Sequence, residues 1–213
     1  EIRTRARAQV DEGGVAALSL NAIAKAMGVS GPALYRYFAS RDDLLAALIT
    51  EGYADITATV QQAAADATRR APARRLQAVA DAYRAWALAH PRRYAMLFGD
   101  RPEGFADPAE AIAEIQGAME TLLAILAEIA GPAGARSAPA RPTKLDQQLT
   151  QWAERRGEPA APAPLILRLG VLTWTRLHGT VSLELAGVFG DMGLDAGLLL
   201  EAEIAQIVEA ATT

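Results

Sequence analysis

Three neighbouring side chains, Tyr35, Arg36 and Tyr37, carry the most distinctive chemistry of this sequence. A guanidinium group can donate two parallel hydrogen bonds to a guanine edge, or it can pair with a phosphate. The two phenol groups can reach phosphate oxygens, and their rings can pack against a sugar or a thymine methyl group. Just before them, Gly31 and Ala33 are small enough to let the backbone approach base edges. This combination points to contacts with double-stranded DNA.

The surrounding sequence predicts two short helices that would position these side chains. The first is expected to follow Ser19, whose hydroxyl can cap it, and to end at Gly28, where a left-handed backbone costs little. The second is expected to begin at Ser30, with Pro32 in its first turn, where a missing N–H is tolerated. Val29 is expected to fill the angle between the two helices. The segment therefore has the outline of a helix-turn-helix.

The second helix has a predicted inward face and a predicted outward face. Leu34 and Phe38 lie four residues apart and share the inward face with Ala33. We expect the outward side to enter a major groove with the helix N-terminus first. Ser40 is expected to cap a third helix, whose first turn is acidic and suits a positive helix end. The predicted DNA-binding residues are Ser19, Asn21, Lys25, Ser30, Gly31, Pro32, Ala33, Tyr35, Arg36, Tyr37 and Arg41.

The segment from Leu18 to Leu48 resembles the DNA-binding domain of the TetR/AcrR family of transcriptional regulators. The matching residues are Ile23-Ala24, Gly28-Val29-Ser30, Leu34-Tyr35, Tyr37-Phe38 and Ser40-Arg41-Asp42-Asp43-Leu44-Leu45. The chain departs from many family members in two places. It has Gly31-Pro32-Ala33 at the start of the recognition helix, and Arg36-Tyr37 where His or Trp is frequent. We therefore expect Arg36, the two tyrosines and DNA shape to carry more of its base specificity.

The net charge of −4 is unusual for a protein that binds DNA, but the basic residues are unevenly placed. Six of them, Arg3, Arg5, Arg7, Lys25, Arg36 and Arg41, fall within the first 41 residues. A local basic face attracts phosphate whatever the charge of the whole chain. Because the family presents its first helix close to the DNA backbone, we expect the first three arginines to contact phosphates. The alternative is an ordinary solvated helix face.

The composition argues against catalysis and metal binding. The chain has 213 residues, which suits one or two domains, and 51% of them are hydrophobic, enough for a large core. It has no cysteine, which excludes a disulfide scaffold, a zinc finger and a thiol nucleophile and is consistent with a cytoplasmic location. The glycine-rich stretch at residues 187–193 lacks lysine and is predicted to end a helix. We therefore expect no catalytic site, no metal and no cofactor.

Proline and glycine clusters divide the chain into helices, and no strand is predicted. The predicted fold class is all-α, with an N-terminal three-helix helix-turn-helix domain and a larger C-terminal helical domain for ligand binding and dimerisation. Their predicted ranges are residues 1–46 and 47–213. Hydrophobic periodicity places helices at residues 2–13, 42–68, 72–90, 92–98, 108–130, 144–156, 165–189 and 195–211. Residues 131–142 are expected to form a mobile loop, and residues 158–164 a linker.

The most apolar long segment is residues 165–189. Its charged residues, among them Arg168 and Glu184, argue against a membrane span, because charge is costly in lipid. A helix that is apolar around most of its circumference is buried on two sides. We therefore expect a homodimer through the last two helices, which would form a four-helix bundle. Such a dimer needs a palindromic operator, with half-site centres about 34–36 Å apart or a multiple of that distance.

The family resemblance implies that the C-terminal domain binds a small molecule and relays its presence to the DNA-binding heads. Trp174, His178 and Gly179 resemble the tryptophan–histidine–glycine motif of one C-terminal subtype, and residues 90–94 match its preceding segment. Gly179 is expected to allow close helix–helix approach. Core packing is the alternative for every aromatic residue named here. The predicted ligand-binding residues are Tyr83, Trp86, Tyr94, Phe98, Phe105, Met119, Trp152, Trp174 and His178.

Together these features predict a dimeric repressor that a small molecule releases from its operator. Two alternatives stay open at this point. One is an all-α small-molecule binding protein that keeps the helix-turn-helix only as a scaffold. The other is a transcriptional activator that uses the same DNA-binding head.

Overall fold

The computed structural model describes residues 1–99, 102, 104–134, 141–156 and 162–212. Over these residues the chain forms eleven α-helices and no strand. A single 3₁₀ turn, Val15–Ala17, lies between the first two helices and was not predicted from the sequence. The helices are α1 Ile2–Gly13, α2 Leu20–Met27, α3 Gly31–Tyr35, α4 Arg41–Asp66, α5 Pro72–Ala89, α6 Pro91–Phe98, α7 Ala109–Gly134, α8 Lys144–Arg155, α9 Pro164–Leu185, α10 Val188–Met192 and α11 Ala196–Thr212.

The predicted helix positions are confirmed, with two differences at glycine residues. The segment expected to be helical to residue 189 ends at Leu185, because Gly187 adopts a left-handed φ of 81° and a separate short helix follows. Gly131, with φ of 66°, interrupts α7 where the helix was predicted to end, but helical turns continue to Gly134. Half of the predicted mobile loop, residues 135–140, lies outside the described residues, as do residues 158–161 of the predicted linker.

Contacts between residues divide the chain into two compact units. The first contains residues 1–58 and 85–116, and the second contains residues 59–84 and 117–213. The first unit therefore includes the predicted N-terminal domain together with much of α4 and all of α6. The domain boundary predicted after residue 46 stays a prediction.

The core of the first unit joins the helix-turn-helix to α1, α4 and α6. Ile23, Leu34 and Leu44 are fully buried, so α2, α3 and the start of α4 share one apolar centre. An ion pair links α6 to α1, since Arg93 donates to both carboxylate oxygens of Asp11 at 2.7 and 2.5 Å. Burial of apolar side chains supplies the main stabilisation of this arrangement, and the exposed ion pair adds little.

The second unit is organised around α9, which packs against α11, α8 and α10. An ion pair between Arg168 and the buried Asp146 ties α9 to the first turn of α8. Asp146 also accepts hydrogen bonds from the backbone and the hydroxyl of Thr143, at 2.8 and 2.7 Å. The guanidinium of Arg168 and these hydrogen bonds lower the pKa of Asp146 to about 2.

The close helix approach in α9 occurs at Gly170, not at Gly179. A Cβ atom added to Gly170 would lie 2.5 Å from the Cδ2 atom of Leu123 in α7, so the Leu123 side chain would have to shift to admit it. A Cβ atom added to Gly179 would meet no atom within 4 Å. Within one chain, the predicted role of Gly179 in helix packing is therefore wrong. Among the described helices, none combines the length and the apolar content needed to cross a membrane.

Candidate DNA interface and effector site

The first helix of the predicted helix-turn-helix begins and ends as the sequence indicated. The Ser19 hydroxyl accepts a hydrogen bond from the backbone of Ala22 at 3.3 Å, and Gly28 ends α2 with a left-handed φ of 68°. The expectation for Val29 is wrong, because its side chain is 40% exposed. Instead of filling the angle between α2 and α3, it lines a groove of 640 Å³ beside the start of α1.

The recognition helix α3 is short, and its N-terminal cap differs from the prediction. Pro32 lies in the first turn as expected, but the Ser30 hydroxyl makes no capping hydrogen bond. After Tyr35 the chain continues in a turn, where the backbones of Tyr37 and Phe38 donate to the carbonyl of Leu34 at 2.9 and 3.2 Å. These bonds keep the outward residues close to one another although the regular helix has ended.

The inward and outward sides of α3 and of the turn that follows it are separated as predicted. Leu34 is fully buried, and Phe38 and Ala33 are half-buried. Tyr35 is 46% exposed and Tyr37 is 76% exposed. Such exposure of large aromatic side chains is unusual in an isolated domain and is typical of a surface that contacts another molecule. Arg36 is also exposed.

The outer face of α2 adjoins the start of α3. Asn21 and Lys25 are both exposed and lie four residues apart, so they share one helix face. A Cβ atom added to Gly31 would lie 3.8 Å from the amide oxygen of Asn21. The Asn21 side chain therefore lies close to the N-terminus of the recognition helix.

Two of the three arginines of α1 that were predicted to contact phosphates form ion pairs within the protein. Arg3 pairs with Glu51 at 3.0 Å, and Arg5 pairs with Glu1 at 2.9 Å. Both are exposed surface pairs, which contribute little to stability and can be exchanged for phosphate at small cost. Their phosphate contacts, and that of the exposed Arg7, stay predictions.

Arg41, the first residue of α4, is bound to the unpredicted 3₁₀ turn. Its Nε atom donates to the carbonyl of Leu18 at 3.0 Å, and its Nη2 atom donates to the carbonyl of Val15 at 2.5 Å. Next to it, the Ser40 hydroxyl accepts a hydrogen bond from the backbone of Asp43 at 3.0 Å, which is the predicted cap of α4. No sequence pattern could have shown the contact with the turn, because 23 residues separate Arg41 from Leu18.

Three of the predicted ligand-binding residues meet in the second unit. The Tyr83 hydroxyl lies 3.3 Å from Nδ1 of His178, and the rings of Trp174 and His178 are stacked with their centroids 5.5 Å apart. The edge of Tyr83 meets Trp174 at 5.7 Å. On the other side, the Ser182 hydroxyl lies 3.5 Å from Nε2 of His178, a contact that the spacing of four residues could have suggested. Burial lowers the pKa of His178, which favours its neutral form.

The other predicted ligand-binding residues lie elsewhere. Trp86 is in the first unit, where its indole nitrogen donates to Asp55 at 2.9 Å and its ring lies 5.2 Å from that of His90. The structure also places Tyr94, Phe98 and Phe105 in the first unit, with the first two rings 4.9 Å apart. In the second unit, Met119 lies beside Gly170, and the Arg156 guanidinium stands 4.7 Å above the ring of Trp152.

Family models match both parts of the chain. Residues 2–48 match bacterial regulatory proteins of the tetR family, and residues 76–207 match a tetracyclin repressor-like C-terminal domain. The chain belongs to the TetR family. It is a DNA-binding transcriptional regulator with an N-terminal helix-turn-helix and a larger helical C-terminal part. The two segments that indicated a C-terminal subtype, residues 90–94 and 174–179, both fall within the second match.

Named relatives and solved structures agree with membership of the TetR family. The HTH-type transcriptional regulator Rv1816 of Mycobacterium tuberculosis is 31% identical over 205 residues, covering 95% of this chain and 87% of that protein. The crystal structure of a presumed regulatory protein, SCO4313, is 37% identical with a TM-score of 0.78, covering 98% of this chain and 93% of that one. The TetR regulator PfmR from Thermus thermophilus shares the fold at 17% identity, with a TM-score of 0.58 and coverage of 98% and 97%.

Proposed function

We propose that this chain is a homodimeric, cytoplasmic repressor that binds a palindromic operator through α3 and is released from it by a small molecule. The observation that carries the proposal is the exposed trio Tyr35, Arg36 and Tyr37, which lies at the end of α3 and in the turn after it, while Leu34 beside it is buried. A rigid inner face fixes the direction of the outer side chains, which base reading requires. Arg36 is the residue to which we assign a base contact, and the tyrosines are assigned to phosphates and sugars.

Ser30, whose hydroxyl does not cap α3, also supports the assignment of this surface to DNA. Its hydroxyl makes no hydrogen bond to the helix that it precedes, and the residue is exposed. A hydroxyl at this end of the recognition helix is placed to donate to a phosphate oxygen. With Ser19, Asn21 and Lys25 of the neighbouring helix, it completes the surface that we assign to operator DNA, together with Gly31, Pro32 and Ala33.

The decisive experiment compares two variants on DNA selected from a random library by the wild-type protein. The double variant Arg36→Ala with Tyr37→Ala should lose about tenfold to a hundredfold in operator affinity, as expected when a bidentate base contact worth about 1–3 kcal/mol is removed. Arg70→Ala, an exposed arginine of the second unit, is the matched control and should bind as the wild type does. Both variants should keep the wild-type thermal midpoint.

Two results would count against the proposal. If the wild-type protein selects no sequence, its binding is only the salt-sensitive attraction of a basic surface for DNA. If the double variant unfolds, these residues are packing residues, and the interpretation of the protein as a small-molecule binder with a scaffold helix-turn-helix gains support.

Dimerisation through α9 and α11 is supported by apolar side chains that a single chain leaves in solvent. Leu183 of α9 is 46% exposed and Leu198 of α11 is 65% exposed. Leu194, between α10 and α11, is 49% exposed. Exposed apolar residues on two helices that pack together are typical of a helical dimer interface. A two-fold dimer would place two copies of α3 against two related half-sites.

The proposed effector site is centred on Tyr83, Trp174 and His178. Two aromatic faces with a neutral imidazole, a phenol and a hydroxyl suit an apolar molecule that carries one or two hydrogen-bonding groups. Such a molecule can release the operator only if it binds the DNA-free conformation more tightly. Operator DNA must then weaken effector binding by the same factor.

Tryptophan fluorescence tests the effector site. In the double variant Trp86→Phe with Trp152→Phe, Trp174 is the only tryptophan left among the three of the chain. A metabolite library is screened for quenching of this signal, and each hit is titrated again with operator present. Binding at Trp174 should weaken when operator is added. Flat titrations across the library, or hits that operator does not affect, would contradict the proposal.

A further inference from the structure

The 3₁₀ turn at Val15–Ala17 determines how α2 begins, because α2 follows it after two residues. The side chains of Val15 and Leu18 are buried, at 7% and 3% exposure. The Leu18 carbonyl, directly before the Ser19 cap, accepts a hydrogen bond from Arg41, and the Val15 carbonyl accepts from both Arg41 and the backbone of Leu18. A partly buried carbonyl that loses its donor costs free energy, so this turn depends on the guanidinium group.

We propose that Arg41 is a positioning residue of the DNA-binding head, which fixes the turn before α2 and so aligns α2 and α3 for operator binding. Its Nε and Nη2 atoms form one edge of the guanidinium fork, and both donate to backbone carbonyls. The bidentate edge formed by Nε and Nη2 is therefore used within the protein and does not bind a phosphate. Arg41 therefore acts on DNA through Ser19 and the helices that follow.

A lysine at this position would keep the charge but would lose the fork. Its single ammonium group cannot reproduce the two directed hydrogen bonds from fixed positions on a planar group. The pair of variants Arg41→Lys and Arg41→Gln therefore separates the positioning role from a phosphate contact. Arg70→Gln removes one exposed positive charge from the second unit and is the control for net charge.

The experiment measures three properties of the full chain. The first is affinity for the selected operator. The second is the salt dependence of binding to a duplex of unrelated sequence, between about 50 and 200 mM salt. The third is hydrogen exchange of the Leu18 amide, which donates to the carbonyl that Arg41 also holds.

Both Arg41 variants should lose about tenfold or more in operator affinity and should exchange the Leu18 amide faster. Their salt slopes on unrelated DNA should equal the wild-type slope, since no phosphate contact is lost. Arg70→Gln should match the wild type in all three. The proposal is overturned if Arg41→Lys binds operator as tightly as the wild type does, or if exchange of the Leu18 amide is unchanged. It is also overturned if either Arg41 variant reduces the magnitude of the salt slope by about 0.9, the loss expected for one phosphate contact.

The inference rests on the proposed operator binding, but the two can fail separately. If the wild-type protein shows no sequence preference, the proposed function is wrong. The salt slope on unrelated DNA and the Leu18 exchange rate then still decide whether Arg41 holds the turn or contacts a phosphate.

Discussion

Replacing Gly179 by alanine tests whether α9 lies in a dimer interface, and Gly170 in the same helix provides the internal comparison. In a single chain, a methyl group at position 179 meets no atom within 4 Å. At position 170 it would lie 2.5 Å from Cδ2 of the buried Leu123 and 3.4 Å from the sulfur of Met119. The same chemical change is therefore made in open space at one site and in a filled space at the other.

The expected free energies have different signs. Alanine is favoured over glycine inside a helix by about 1 kcal/mol, so Gly179→Ala should stabilise an isolated chain by about that amount. At Gly170 the gain is offset by overpacking, which costs about 1–3 kcal/mol, so Gly170→Ala should be neutral to destabilising. If a partner helix crosses α9 at Gly179, the same overpacking falls on the dimer. Its dissociation constant should then rise about 5- to 150-fold.

The assay combines urea unfolding followed by circular dichroism with sedimentation velocity over a dilution series. Protein concentration must be varied, because the apparent stability of a dimer depends on it. For Gly179→Ala we expect weaker association together with a more stable dissociated chain. Gly170→Ala should associate more weakly than the wild type only to the extent that the substitution unfolds the chain.

One result would refute the reasoning. If Gly179→Ala associates as tightly as the wild type while its unfolding free energy rises, Gly179 lies outside the interface. Another part of α9 or α11 would then have to supply the contact. If Gly179→Ala instead destabilises the dissociated chain, the premise that open space surrounds Gly179 within one chain is wrong.

Two further predictions concern stability. Asp146→Asn should remove a pH-dependent contribution to the free energy of unfolding. The pKa of Asp146 in the folded protein, about 2, lies below the ordinary 3.8, so the ionised carboxylate stabilises the fold above about pH 4. This stabilisation is lost as the pH falls towards 2. Urea midpoints of the wild type and this variant should therefore converge over that range, and parallel curves would contradict the assignment. Gly28→Ala should destabilise the fold by about 1–2 kcal/mol through backbone strain alone, because φ is 68° and no atom lies within 4 Å of the added methyl group. Thermal unfolding measures this, and an unchanged midpoint would show that the turn relaxes.

Much of the helix-turn-helix could be predicted from sequence, because its signals are local. A hydroxyl before a helix, a glycine after it and a proline in a first turn act within four residues, and Ser19, Gly28 and Pro32 all take the predicted positions. The buried Leu34 follows from helical periodicity in the same way. The local rule failed at Ser30, whose hydroxyl does not cap the helix that it precedes.

The candidate effector residues show the limit of the same approach. Composition and a short motif selected aromatic residues along the chain, but no pattern showed that Tyr83 would meet Trp174 and His178 in one unit. Trp86, only three residues after Tyr83, lies in the other unit with Asp55. Residues three apart on one helix share a face only in part, and the elements that pack on each are chosen by the tertiary fold.

By itself, the sequence determined the helical class, most helix positions and the outward trio at the end of α3, because these depend on neighbouring residues and on a period of 3.6. Only the tertiary structure decided which residues distant in sequence come into contact. It assigned Arg41 to a turn more than twenty residues away, and it placed the close helix approach at Gly170 instead of Gly179. The physical reason is that a donor or a small residue acquires its role from the group brought against it, and that group is set by the packing of the whole chain.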